Sequence, residues 1–175
     1  MSNELLRASY QSMAESKSPE PWRSIQVHVG GVVAVGYGPG SEYLVVMTHS
    51  GLGVIDGRTG QTVARQAAVE QRDDPYPIWA IGIGPLANER IPLAGLWGGG
   101  LRCSAPDGWT VHRISPNWPA DCAILCPPDY PDVADPSKAV MLAKDLEPPI
   151  RAIGFSDSGR SLVVANTSLY LWFRD

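Results

Sequence analysis

Short apolar bursts punctuated by glycine-containing turns run along most of this chain. The clearest series is residues 32–65, which read VVAVGYGPG, EYLVVMTHSG, LGVIDGRTG and QTVAR. Runs of Val, Ile, Leu and Tyr, each closed by a turn that admits positive φ, predict four short antiparallel strands joined as a meander. Such a meander leaves an apolar face uncovered, so repetition of the pattern predicts sheets stacked on one another.

The pattern does recur. Ala34-Val35-Gly36-Tyr37 returns as Ala80-Ile81-Gly82-Ile83 and again as Ala152-Ile153-Gly154-Phe155. Leu44-Val45-Val46 in the first copy matches Leu162-Val163-Val164 in the third, with a looser Ile91-Pro92-Leu93 in the second. Thr62-Val63-Ala64-Arg65 likewise matches Thr110-Val111-His112-Arg113, and Asp56-Gly57 and Asp107-Gly108 mark turns before them. The copies are placed at 32–65, 79–113 and 150–175. The third ends after three strands and leaves an open edge. Residues 22–29 alternate, with Ile25, Val27 and Val29 on one side and Ser24, Gln26 and His28 on the other, and are predicted to fill that edge.

Closure of a C-terminal sheet by an N-terminal strand resembles WD-repeat and related β-propellers, and GFSDSGRSLVVANTSLYLWF is similar to three strands of one of their blades. The resemblance implies an all-β fold of consecutive four-stranded antiparallel meanders in a small propeller-like array. The Gly-His and Trp-Asp signature of WD repeats is missing, and three copies are fewer than the four to eight blades usual for the family. The chain reads as one domain. The first two copies start 46 residues apart and the last two 72, which isolates residues 114–149 as an insertion or a degenerate repeat. Within it DCAILC (121–126) and AVMLA (139–143) read as two strands of a degenerate fourth sheet, with AVMLAKDL (139–146) as a short helix the alternative. Ahead of the strands, Leu6, Tyr10 and Met13 share one face of a helix predicted over 3–16, capped by Ser2 or Asn3.

Composition narrows the function. A net charge of −4 without a basic run argues against nucleic-acid binding, which draws its affinity from Lys and Arg on phosphates. No apolar stretch has the length of a membrane span or a leader, so a cytoplasmic protein is expected. Cys103, Cys122 and Cys126 fit no disulfide framework and read as small buried residues. Residues 118–149 hold six acidic residues against two basic ones and seven of the 16 prolines, Pro131 among them. That is the composition of a stiff, anionic surface loop.

Candidate chemistry is sparse. Asp129, Asp132 and Asp135 lack the alternate spacing, central glycine and closing glutamate of a calcium loop, and Cys122, Cys126 and His112 lack a fourth zinc ligand. His49 and Ser50 are neighbours, but consecutive strand residues face opposite ways. The expectation is therefore a non-enzymatic protein-binding module without metal or cofactor. Asp129, Asp132 and Asp135 would steer a basic partner, and Trp97, Trp118 and Tyr130 would anchor it. Trp79 and Trp172 fall in core-type strands and read as structural. A small acidic chain with such a loop resembles a bacterial immunity protein that occludes a basic toxin. Two alternatives stay open: a small hydrolase or lyase using His49 or His112 with a loop aspartate in a central cleft, and a subunit of a homo-oligomeric β-array.

Overall fold

The computed structural model describes residues 2–68, 76–130 and 132–175, so Pro131 lies outside the described residues. Helix α1 is Asn3–Ser12, and the Ser2 hydroxyl caps it by accepting from the Leu5 N–H at 3.3 Å. It stops short of residue 16. Met13 is extended, and the chain beyond it lies beside residues 140–146, where the Ser16 N–H donates to the Met141 carbonyl at 2.8 Å.

The chain is mostly β, in several antiparallel sheets. Strands β2 (Val32–Tyr37), β3 (Tyr43–Thr48), β4 (Gly51–Asp56) and β5 (Thr62–Ala67) form the first sheet in consecutive order, as the sequence predicts for residues 32–65. The second copy is not a four-stranded unit. Strands β6 (Trp79–Ile81) and β7 (Arg90–Pro92) make a two-stranded hairpin around a 3-10 turn at Gly84–Leu86. Strand β8 (Ala94–Gly95) then returns to pair with β2 of the first sheet. Residues 110–114, matched in sequence to a fourth strand of that copy, instead open another sheet. That sheet holds β9 (Thr110–Ile114), β10 (Asp121–Cys126) and β11 (Val140–Leu146), so residues 140–146 are strand rather than helix.

The last sheet contains β12 (Ala152–Phe155), β13 (Ser161–Ala165) and β14 (Leu169–Phe173), and its open edge is filled from the N-terminus. Strand β1 (Arg23–Ile25) pairs antiparallel with β14, Arg23 opposite Phe173 and Ile25 opposite Leu171. The ladder is three residues long; of the other residues predicted as strand, Trp22 precedes it and residues 26–29 leave it.

Apolar clusters give the order of the layers. Leu6 and Tyr10 of α1, with Met13 just beyond it, cover Cys122, Ile124, Cys126 and Met141 on one face of the β9–β11 sheet. Its other face, with Val111, Leu125 and Leu142, packs on Phe155, Leu162, Val164 and Trp172 of the last sheet. The reverse of the last sheet, with Val163 and Leu171, packs on Val35, Leu44 and Ile55 of the first. The far side of the first sheet, with Val45, Met47 and Val54, takes Ala80, Ile91 and Leu93 of the hairpin region. Strands β10 and β13 are therefore buried on both faces. Among the described residues the sheets close into neither a barrel nor a propeller.

The glycine repeated in the copies has a steric cause. A Cβ on Gly36 would sit 2.1 Å from the Pro92 carbonyl oxygen, and one on Gly154 would sit 2.4 Å from the Leu101 Cβ. At both places the chain arriving from the hairpin crosses the first strand of a meander: β8 joins β2, and Arg102 bridges Phe155. The motif marks where a neighbouring segment crosses at backbone distance.

A buried cation closes the other end of the last sheet. Arg174, 9% exposed, donates to the Gly159 carbonyl and makes a two-pronged contact with Asp107, with its guanidinium 4.7 Å from the Trp22 ring centre. The Arg174 hydrogen bond holds the Asp107 carboxyl below its usual 3.8. A carboxyl whose pKa is lower folded than unfolded stabilises above its unfolded value and loses that contribution as pH falls through the folded one. Acidification from about pH 5 to about pH 2 is therefore expected to lower the melting temperature more in the native protein than in Asp107→Asn. Parallel curves for the two would remove Asp107 as a source of acid sensitivity.

Candidate binding surfaces

The six residues expected to contact a partner are distributed over three places. Asp129, Tyr130, Asp132 and Asp135 lie in the loop after β10, all exposed. Trp118 lies in the turn before β10, at the opposite end of a six-residue strand about 20 Å long. Trp97 follows β8, on the other side of the molecule's layers, where it packs half-buried against the first sheet and meets Tyr76 edge to face at 6.1 Å.

The acidic loop is ordered by its own chemistry. Asp132 Oδ1 accepts from the Ala134 N–H at 2.8 Å and Asp135 Oδ1 from the Ser137 N–H at 3.0 Å, two local turns of the kind aspartate favours. The Tyr10 hydroxyl donates to the Val133 carbonyl at 2.8 Å, and the Lys138 ammonium lies 5.4 Å from the Tyr130 ring centre. Hydrogen bonds from Ser137 hold the Asp135 carboxyl below its usual range, so it is charged at neutral pH. Burial, and then the negative charge of Cys126 and the loop aspartates, pushes the Tyr10 phenol up to about 12. The Trp118 turn is held separately: Arg7 Nε and Gln11 Nε2 donate to the Pro116 carbonyl, and Trp118 stands 76% exposed.

The catalytic alternative finds no assembled site among the described residues. His112 Nε2 lies 3.0 Å from Thr110 Oγ1, a hydroxyl two residues away on the same face of β9, and no hydrogen bond or ion pair joins a histidine to a carboxylate. No group of three His, Cys, Asp or Glu has the geometry of a metal site among them either. Cys122 and Cys126 are buried, and burial pushes both thiols up. Cys103 departs from expectation: it is exposed, in the crossing segment before β9.

An uncovered apolar surface lies on the hairpin, around Trp79, which the sequence assigned to a core strand. Pairing of Trp79 with Pro92 and of Ile81 with Arg90 puts all four on the outer face of the hairpin, while Ala80 and Ile91 point inward. Trp79 is 39% and Ile81 51% exposed, and the Arg90 guanidinium lies 4.5 Å from the Trp79 ring centre. Tyr76, Ile78 and Leu96 are exposed on the flanks. No family model matches this chain, and neither a curated protein nor a solved structure does. Function therefore rests on these surfaces alone. The signal in the sequence was that β6 is apolar at all three positions, which fits a strand covered on both faces; here only one face is covered. Trp172, assigned to the core with it, is buried.

Proposed function

We propose that this chain is a non-enzymatic protein-binding module whose principal contact is the outer face of the β6–β7 hairpin. One observation carries the proposal: among the described residues the stack of layers is finished by α1 at one end and left uncovered at the other. That end presents Trp79 and Arg90, residue types enriched in binding hot spots, beside Ile81 and Pro92, and is flanked by exposed Tyr76, Ile78 and Leu96. The same stack supports the propeller-like reading in an open form. Sheets adjacent in chain order, counting the last as adjacent to the first, are face-to-face neighbours except at the hairpin and the β9–β11 sheet.

The acidic loop supports a second, narrower reading, an immunity protein that neutralises a basic toxin. Its carboxylates are displayed on a segment ordered before any partner arrives, which lowers the entropic cost of docking. Parallel affinity capture with Trp79→Ser/Ile81→Ser and with Asp129→Asn/Asp132→Asn/Asp135→Asn distinguishes the surfaces. The first pair is expected to weaken a mass-spectrometrically identified partner by about 2 kcal/mol or more, roughly thirtyfold in Kd, with little change in melting temperature. Loss of the partner only in the aspartate variant transfers the function to the loop, and retention by both variants refutes both surfaces. Light scattering against concentration shows whether the partner is a second copy of the chain.

A further inference from the structure

Residues 26–29 have the alternation of a strand but belong to no sheet. After β1 they run as a strap across the junction of the last sheet and the first, with Val27 and Val29 packed into the core between them. The β4–β5 turn sits directly against the strap: a Cβ on Gly60 would lie 2.6 Å from the Gln26 carbonyl oxygen. Beyond that contact the strap and β5 diverge, and between them opens a groove of about 450 Å³, within the range of small-molecule sites.

The floor of the groove contains a glycine without a structural reason to be one. Glycine in mid-strand weakens a sheet and usually marks a positive φ or a close approach. Gly51, two residues earlier, is such a case, since its Cβ would fall 2.1 Å from the Gln66 carbonyl oxygen. Gly53 is not. It lacks a left-handed φ, and a Cβ there would meet no atom closer than 3.8 Å. A side chain at 53 would simply enter the groove. In register Gly53 lies between Val46 on β3 and Arg65 on β5, so the missing side chain leaves an opening with a buried apolar residue on one side and a cation on the other.

The lining has a definite chemistry. Arg65 is exposed to the groove, and among the described residues no carboxylate pairs with it and no acidic residue lines the walls, in a chain of net charge −4. Val46 and Ile55 give an apolar floor, and Thr48 and His28 add polar groups at the sides. A planar guanidinium binds a carboxylate with two parallel hydrogen bonds, and one cation suits one negative charge. We infer that this groove binds a small organic monocarboxylate, with Arg65 holding the carboxylate and the opening over Gly53 taking a short branched alkyl or aryl body.

Titration of the ¹⁵N-labelled protein with 4-methylpentanoate tests this. Saturable shifts are expected at the amides of Gly53, Arg65 and their neighbours. The uncharged 4-methylpentanamide and inorganic phosphate should each bind at least about tenfold more weakly, one lacking the charge and the other the apolar body. Arg65→Gln should weaken the carboxylate by a similar factor. Gly53→Val should abolish binding while keeping or raising the melting temperature, because it adds a β-branched residue to a strand with room for it. Absence of saturable shifts, equal binding of the amide or of phosphate, or undiminished binding by either variant would overturn the assignment.

Discussion

Trp22→Ala is expected to lower stability by about 3–5 kcal/mol, the range for removing a fully packed large aromatic. Trp22 is 2% exposed and joins layers from both directions. It meets Trp109 edge to face at 5.9 Å and Phe155 at 5.7 Å, and the Arg174 guanidinium lies over its ring. It also immediately precedes β1, so its loss loosens the N-terminal edge of the last sheet. For a chain of 175 residues the cost corresponds to a fall of roughly 10 °C in melting temperature. Trp22→Phe should keep most of the stability, because the indole N–H is buried without a hydrogen-bond partner among the described residues. Thermal unfolding followed by near-UV circular dichroism checks both, and equal losses in the two variants would contradict the packing argument.

The second large effect is expected at Asp121. Its carboxylate has no exposed surface, forms an ion pair with Arg113 Nε at 2.7 Å, and accepts from the Ser115 hydroxyl at 2.6 Å and the Ile150 N–H at 2.8 Å. The last of these ties the start of β10 to the segment leading into β12. Alanine would leave the Ile150 N–H and the Ser115 hydroxyl dry and unpaired, at a cost of about 3 kcal/mol. Arg113 is 46% exposed and can return to water when Asp121 is removed, so it adds little to that cost, whereas Arg113→Gln leaves the buried carboxylate without its cation and should cost about 2–3 kcal/mol. Urea titration should show a lower midpoint at constant slope. A loss under about 1 kcal/mol for Asp121→Ala would mean that the network contributes little.

The first sheet was legible because each of its turns is specified locally and its strands pair in chain order. The second copy carried the same local signals, yet β6 runs into a proline-containing 3-10 turn and β8 pairs with β2. Strand-forming residues set the strand state at 110–114 but not the partner, which depends on where the chain goes between 98 and 109. The repeated glycine did encode that route, since it marks the crossings themselves, but its meaning required knowing what crosses. Alternation placed residues 22–29 on the correct edge and overran the ladder, because Val27 and Val29 find a core to pack on without a sheet to join. The candidate surface was the hardest to read. Acidic residues and prolines made the 127–138 loop conspicuous, whereas Trp79 and Ile81 look like core until their exposure in the fold is measured. Gly53 resembles any other strand glycine until the space above it is measured.

The three-residue ladder between β1 and β14 has a mechanical consequence. Arg23 lies opposite Phe173, so the two ends of the chain leave the ladder from the same side. Tension applied between residues 23 and 175 would therefore load the backbone hydrogen bonds singly, opening the pair like a zipper instead of shearing it along its length. Residues 23–25 would peel away under small force and expose the edge of β14, while the stacked sheets behind it, and α1 outside the loaded segment, stay in place.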